Sequence, residues 1–108
     1  GVEINKEEAL KYFTLAANQG IAKAQYMLGK MYHLGEGGVE INKEEALKHF
    51  TLAANQGEAK AQFMLGKMYY SGEGGVEINK EEALKYFTLA ANQNHPEASQ
   101  AKQLYTSE

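Results

Sequence analysis

The glycine-rich loop Gly35–Gly38 is the first place in the sequence where ligand chemistry could arise. Its segment, Gly-Glu-Gly-Gly, precedes a predicted helix, and the backbone N–H groups of such a loop can cradle a phosphate. The loop follows no predicted strand, carries the acidic Glu36, and lacks a Lys or a Ser/Thr at the spacing that phosphate-binding loops require. A flexible connection between helices is therefore the better interpretation.

Two sets of titratable side chains could serve acid–base or metal chemistry, and neither is arranged for it. Glu7 and Glu8 are adjacent. Neighbours on a helix point about 100° apart, and acids in a first turn usually complement the helix dipole. The histidines His33, His49 and His95 occupy unrelated repeat positions without ligand spacing. We therefore predict no catalytic residues, no metal site and no cofactor, and we expect a protein that is not an enzyme.

A third set of residues does indicate binding. At helical spacing, lysines, methionines and aromatic residues share one face of a predicted helix, and this face recurs one repeat later. Aromatic rings offer flat apolar contact, and lysines attract carboxylates as point charges. The alternative is a solvated face whose rings pack against the next repeat. The residues of this candidate peptide-binding face are Lys23, Tyr26, Met27, Lys30, His33, Leu34, Lys60, Phe63, Met64, Lys67 and Tyr70.

These residues belong to a sequence that repeats every 37 residues. Gly1, Gly38 and Gly75 each begin the string GVEINKEEALK, and residues 1–37 and 38–74 differ at only five positions. We divide the single repeat domain 1–108 into repeats at 1–37, 38–74 and 75–108, the last a degenerate C-terminal cap. A repeat of this length is typical of a stacked solenoid, because one unit is too small to bury its own apolar face. Such similarity arises by recent tandem duplication or by design, and the small number of differences between the repeats favours design.

Each repeat is predicted to contain two helices. In helix B, about residues 5–19, Asn5 and Glu8 have capping-box spacing and Gly20 suits the position after the helix end. Helix B recurs near 42–56 and 79–93, and helix A is predicted near 21–34 and 58–71. A sixth helix begins near Pro96. The predicted core residues are Ala9, Leu10, Phe13, Ala16 and Ala17 on B, and Ala24, Leu28, Met31 and Tyr32 on A.

Composition excludes several functional classes. The chain has 108 residues, a net charge of −3 and no cysteine, which excludes a disulfide scaffold, a thiolate zinc site and cysteine catalysis. The longest apolar runs are too short to span a membrane, and the acidic balance disfavours nucleic-acid binding. We expect a soluble domain with no membrane or nucleic-acid partner, and the sequence leaves its compartment undetermined.

The spaced pattern AxxxLGxMYxxGxG followed by GVxxNxxxALxxFxxAAxQG resembles the Sel-one-like repeat, a branch of the tetratricopeptide-like superfamily. The resemblance covers essentially the whole chain. The matching positions are Ala24, Leu28, Gly29, Met31, Tyr32, Gly35, Gly37, Val39, Asn42, Ala46, Phe50, Ala53, Ala54 and Gly57. An additional Gly38 and the Asn in place of the usual Asp at position 42 depart from the pattern and should be tolerated.

The resemblance implies an all-α solenoid, a right-handed superhelix of antiparallel helix pairs, that serves as a protein–protein adaptor. We expect it to bind an extended peptide, acidic or ending in a free carboxylate, on the concave face of the A helices. The alternative is an engineered repeat protein for studies of folding or assembly, without a natural ligand.

The first predicted helix lacks an A helix before it. Part of the face bearing Ala9, Phe13 and Ala16 should therefore lack cover, and an uncovered apolar end favours association with another chain. We expect a concentration-dependent homodimer through this N-terminal helix.

Overall fold

The computed structural model describes residues 5–106, and every regular element in this part of the chain is an α-helix. Each helix packs against the next one along the chain, giving an elongated molecule of 48 × 27 × 25 Å. The predicted all-α repeat fold is confirmed, and the helix boundaries agree with the prediction within about two residues. The six helices are α1 (Lys6–Asn18), α2 (Ala22–Leu34), α3 (Lys43–Asn55), α4 (Ala59–Ser71), α5 (Lys80–Ala91) and α6 (Pro96–Thr106).

The Asn caps form as predicted, but the capping box is only half made. The Asn42 side chain accepts a hydrogen bond from the Glu45 N–H at 3.1 Å. In a complete box the Glu45 side chain would accept the Asn42 N–H. That N–H donates instead to the Tyr32 carbonyl at 2.8 Å, while the Glu45 carboxylate lies 3.5 Å from His49. The cap therefore also ties the start of α3 to the end of α2.

The B helices end at a residue with a left-handed backbone. Gly20 and Gly57 have φ of +86° and +91°, a conformation that glycine adopts without a Cβ penalty. Asn94 occupies the same repeat position with φ +65°, and asparagine is the residue that best replaces glycine there. The predicted helix stop is therefore confirmed at Gly20.

The core lies between successive helices on the faces that the spacing predicts. Seven buried residues join α3 to α4, and a smaller cluster of four joins α1 to α2. Leu52, which the periodicity places off this face, is 43% exposed. The larger cluster is Ala46, Phe50, Ala53, Ala54, Ala61, Leu65 and Met68, and the smaller is Ala17, Ala24, Leu28 and Met31.

Helix α1 is covered less completely than its repeats. Phe50 and Phe87 are fully buried, whereas Phe13 is only partly buried. The same holds for Ala9 and Ala16. The predicted lack of cover on this face is confirmed, because no described helix packs against α1 as α2 packs against α3.

Glycine inside the A helices permits a close approach to the next B helix. A Cβ added at Gly29 would lie 2.5 Å from Cδ1 of Phe50, and one added at Gly66 would lie 2.6 Å from Cδ1 of Phe87. Real Cβ atoms do not pack at such distances. The Phe rings of α3 and α5 therefore lie against the bare backbone of α2 and α4, which fixes the spacing within each pair.

Buried glutamines connect one repeat to the next. Gln25, which is 5% exposed, donates to the Ala17 carbonyl at 3.3 Å. Gln56 donates to the Gln25 side-chain oxygen at 2.7 Å and to the Gly20 carbonyl at 2.8 Å. Gln62 and Gln93 repeat these contacts one repeat later. The hydrogen bonds satisfy polar groups that would otherwise be costly to bury.

The last described helix is more polar than the other A helices. Ala98 is fully buried, but Lys102 is only partly buried and Gln103 is exposed. These two residues stand where α4 has Leu65 and Gly66. Among the described residues no helix is both long enough and apolar enough to cross a bilayer.

Candidate functional site

Three adjoining depressions run along α2 and α4, and together they form what we call the groove. The first and second share Tyr26 and Lys60, and the second and third share Met64 and Lys67. Their volumes are about 470, 240 and 270 Å³. The three depressions therefore adjoin one another along α2 and α4.

The first depression is the largest and the most apolar. One wall is formed by Tyr12, Phe13 and Ala16 of α1, and the other by residues of α2 that include Tyr26 and Met27. Its rim carries Lys23, Glu58 and Lys60. A site of this kind suits an apolar or aromatic group held by a few charges.

The second depression is lined by Phe63, whose ring other side chains already partly cover. Phe63 lies 5.7 Å from the Phe87 ring and stacks on His95 at 4.8 Å between centroids. The Lys67 ammonium lies 5.4 Å from the Phe63 centroid. A ligand that reaches Phe63 therefore also meets the Lys67 ammonium and the His95 imidazole.

The third depression joins the two A helices near their C-terminal ends. His33 of α2 and Met64, Lys67 and Tyr70 of α4 line it, together with Glu73. The His33 Nε2 and Glu73 Oε2 atoms lie 3.4 Å apart. This contact links the two repeats across the groove.

Nine of the eleven predicted groove residues line these depressions, and two do not. Lys30 extends back over Tyr26, with its ammonium 5.9 Å from the ring centroid. Leu34, the last residue of α2 before the Gly35 turn, is 53% exposed. The residues that do line the groove are Lys23, Tyr26, Met27, His33, Lys60, Phe63, Met64, Lys67 and Tyr70.

The groove carries more negative charge than the sequence prediction assumed. Glu58, Glu73 and Glu97 line it beside the lysines. Burial raises the pKa of Tyr26 above its ordinary value, and Glu58 and Glu97 raise it further because their carboxylates would repel a tyrosinate. The Tyr26 hydroxyl therefore stays protonated. The predicted cationic rim is in fact a rim of mixed charge.

The acidic residues were missed because they lie outside the predicted face of the A helices: Glu58 and Glu97 stand at the starts of α4 and α6, and Glu73 lies in the loop after α4. Glu58 and His95 hold the same repeat position, which Ile21 holds in the first repeat. This position varies in all three copies, and it packs beside the varying ring at Tyr26 or Phe63. Both positions differ between repeats, and this shared variation was the signal that could have placed their side chains in the same groove. The groove residues that the sequence analysis did not predict are Tyr12, Phe13, Ala16, Ile21, Ala24, Glu58, Met68, Ser71, Glu73, His95 and Glu97.

The groups that line the groove suit non-covalent binding of a ligand. It offers ammonium donors, carboxylate acceptors, imidazole and partly buried rings. Within residues 5–106 there is no group of three or more His, Cys, Asp or Glu residues placed to hold a metal ion.

Comparisons with known proteins identify the family. The model of the Sel1 repeat family matches residues 1–21, 22–58 and 59–95. The second and third matches contain the pairs α2–α3 and α4–α5. A comparison with curated protein sequences found no match.

Solved structures give the same assignment. A Sel1 repeat protein from Oxalobacter formigenes is 38% identical with a TM-score of 0.90, over 97% of this chain and 42% of that one. A protective antigen of uropathogenic Escherichia coli with an SLR fold is 36% identical with a TM-score of 0.81, over 85% and 19%. Cysteine rich protein B of Helicobacter pylori is 24% identical and shares the fold, with a TM-score of 0.84 over 91% and 72%.

The chain thus spans less than half the length of the first two of these proteins. The family matches cover residues 1–95, and they agree with a helical repeat fold in which an A helix packs on a B helix. The chain belongs to the Sel1 repeat family.

Proposed function

We propose that this chain is a protein-interaction scaffold whose groove binds an extended peptide. Sel1 repeat proteins are typically protein-interaction scaffolds. The observation that carries the proposal is the continuity of the groove, in which shared residues join three depressions across both A helices. A linear ligand can occupy such a series of depressions one after another.

The positions of two lysines define the ligand's charge pattern. Lys60 and Lys67 lie seven residues apart on α4, which corresponds to a rise of about 10 Å along the helix. An extended peptide in the polyproline II conformation advances about 3.1 Å per residue with three residues per turn, so side chains three residues apart lie on the same side about 9 Å apart. Carboxylates three residues apart on the ligand, or a side-chain carboxylate and the C-terminal one, therefore match the two ammonium groups.

The apolar and acidic parts of the groove add to this pattern. The first depression accepts an apolar side chain between Phe13 and Met27. Glu58 and Glu97 stand near Tyr26, so a positive or N–H donor group on the ligand is favoured there. The preferred ligand is therefore an acidic peptide with an apolar anchor, rather than a uniformly acidic one.

Peptide selection followed by charge reversal tests this function. Peptides are selected from a displayed library, and their affinities are measured by isothermal titration calorimetry. The variant Lys60→Glu/Lys67→Glu should bind the selected peptides about ten times more weakly at low salt, because two attractions become repulsions. The affinity for the parent protein should also fall as salt is added.

A matched control separates the local effect from the change in net charge. The variant Lys11→Glu/Lys48→Glu carries the same total charge, and both of its positions are exposed and lie outside the groove. It should bind like the parent protein. Equal affinity of both double variants would exclude the groove as the binding site. Failure to select any peptide would favour the alternative, a repeat scaffold without a natural ligand.

A further inference from the structure

One position of the repeat lines the groove in every copy and carries a different residue each time. It is Ile21 in the first repeat, Glu58 in the second and His95 in the third, and each side chain lines the first or the second depression. The position lies in the turn directly before α2, α4 and α6. A turn residue that varies on a rigid scaffold, beside the space where a ligand would lie, is suited to selecting that ligand.

A hydrogen bond within the chain fixes the tautomer of His95. Its Nδ1 atom accepts the backbone N–H of Ala98 at 3.2 Å. A backbone N–H can only donate, so Nδ1 carries no proton, and the proton of the neutral imidazole is then on Nε2. His95 therefore caps the start of α6 with one ring nitrogen and keeps the other as an N–H donor.

The imidazole ring is also held in place. It stacks on Phe63 with 4.8 Å between the ring centroids and an interplanar angle of 27°, and the His95 backbone N–H donates to the Ala90 carbonyl at 3.2 Å. Nε2 makes no hydrogen bond to any residue between 5 and 106. The second depression is thus lined by an oriented donor whose acceptor comes from solvent or from a ligand.

The cations around this donor favour an anionic acceptor. Lys60 and Lys67 line the same depression. The Lys67 ammonium lies 5.4 Å from the centroid of Phe63, which is the ring on which His95 stacks. An N–H group donates more strongly to an ionised acceptor than to a neutral one, so a ligand anion gains both the attraction of the lysines and a directed hydrogen bond.

The acidic residue of the depression limits the anion to a single charge. Glu97 also lines the depression, and its carboxylate contributes to the raised pKa of Tyr26. Two ammonium groups, of Lys60 and Lys67, therefore face one carboxylate, and the excess is one positive charge. A carboxylate balances this excess, whereas a doubly charged phosphate group would be repelled by Glu97.

We propose that His95 is a specificity-determining residue that selects a carboxylate of the bound peptide through its Nε2–H. The inference rests on the proposed function and narrows it: one of the two ligand carboxylates that match Lys60 and Lys67 accepts this hydrogen bond. Glu58, at the same repeat position, repels a carboxylate from the first depression. The acidic part of the ligand therefore lies towards α6, and its apolar anchor lies in the first depression.

Two substitutions separate the donor from the helix cap. Asparagine at position 95 offers an oxygen near the place of Nδ1, and Asn42 and Asn79 cap α3 and α5 in this way, but it has no donor at the place of Nε2. Glutamine offers an amide N–H near the place of Nε2 and no acceptor at that of Nδ1. Both variants lack the ring, so the difference between His95→Asn and His95→Gln reports the donor.

The probes are synthetic peptides with defined carboxylates. The first is acetyl-Phe-Pro-Glu-Pro-Pro-Glu-amide, and two others carry glutamine in place of one or the other glutamate. A fourth, acetyl-Phe-Pro-Glu-Pro-Pro-Ala, ends in a free carboxylate instead of the last side-chain carboxylate. Their dissociation constants for the full 108-residue chain are measured by isothermal titration calorimetry at low salt and at pH 8, where an ordinary imidazole is neutral.

We expect His95→Asn to weaken binding of the first peptide about 5- to 10-fold and to unfold near the temperature of the parent protein. One of the two glutamine peptides should lose this sensitivity, which identifies the recognised carboxylate. The fourth peptide shows whether a C-terminal carboxylate serves equally well. His95→Gln should keep most of the affinity and unfold at a lower temperature, because its cap is lost. His49→Tyr, which removes a histidine outside the depressions, should leave every affinity unchanged.

Two results would overturn the inference and leave the proposed function in place. These are an effect of His95→Asn that is the same for the glutamate and both glutamine peptides, and an equal loss of affinity in His95→Asn and His95→Gln. An Nδ1–H tautomer of His95, seen in a ¹H–¹⁵N correlation spectrum of the free protein, would overturn it without any ligand. If none of the four peptides binds the parent protein, the inference fails, whereas the proposed function fails only if the displayed library also yields no peptide.

Discussion

Replacing Phe50 with alanine should lower the free energy of unfolding by about 3–5 kcal/mol. The ring is fully buried, lies against the Gly29 backbone and is contacted by the rings of Tyr26 and His33. The transfer term for burying a Phe side chain is about 1.5–3 kcal/mol. The cavity left between rigid helices adds to it, which gives the range measured for buried Phe→Ala substitutions.

The repeats supply internal controls for this value. Phe87→Ala should cost about as much, since Phe87 is equally buried and lies against Gly66 in the same way. Phe13→Ala should cost clearly less, about 1–2 kcal/mol, because its face is only partly covered. Leu52→Ala removes a side chain that is 43% exposed and should cost under about 1 kcal/mol.

Urea unfolding followed by circular dichroism measures all four variants. A domain of this length has a total stability of roughly 5–16 kcal/mol, so Phe50→Ala is expected to shift the midpoint strongly or to abolish folding. If Phe13→Ala is as harmful as Phe50→Ala, the inferred difference in cover between α1 and α3 is wrong. If Leu52→Ala is as harmful, the assignment of the helix faces is wrong.

Two further predictions concern single positions. Gly66→Ala should destabilise the fold by about 1–2 kcal/mol in the same assay, since overpacking against Phe87 exceeds the helix-propensity gain of about 1 kcal/mol; a stabilised variant would contradict the close approach. Burial lowers the pKa of His49 below its ordinary value of 6.5, although Glu45 opposes the shift. As the pH falls, the His49 imidazole is therefore protonated in the unfolded chain before it is protonated in the folded one. The free energy of unfolding should then decrease as the pH drops below about 6.5. His49→Tyr reproduces the Tyr69–Tyr86 stack of the next repeat and should reduce this pH dependence. Unfolding temperatures measured between pH 5 and 8 check this prediction. If they depend on pH as steeply in the variant as in the parent protein, the assigned role of His49 is wrong.

The helices and their buried faces could be predicted because they are local properties repeated in the sequence. Asn42 marks a helix start and Gly57 a helix end, and apolar spacing identified Phe50 and Leu65 as core residues. Three nearly identical copies test each assignment against the others. The lower burial of Phe13 was also predicted, because the sequence shows no A helix before the first B helix.

The charge of the groove could not be predicted in the same way, because it depends on contacts between repeats. Glu58 and Glu97 reach Tyr26 from the starts of α4 and α6, at distances along the chain that periodicity within one helix does not describe. Lys30 has the correct spacing for the groove, but its long side chain turns towards its own helix neighbour. Helical spacing thus identified the face and left the side-chain directions open.

A nuclear magnetic resonance titration tests the central claim, the peptide-binding groove, most directly. An acidic peptide with two carboxylates three residues apart is added to the ¹⁵N-labelled protein, and backbone amide shifts are followed. The largest changes should lie on α2 and α4 around Tyr26, Lys60 and Lys67, with little change around the exposed Leu52 of α3 and Leu89 of α5. Shifts concentrated around Leu52 and Leu89, with the groove residues unmoved, would contradict it.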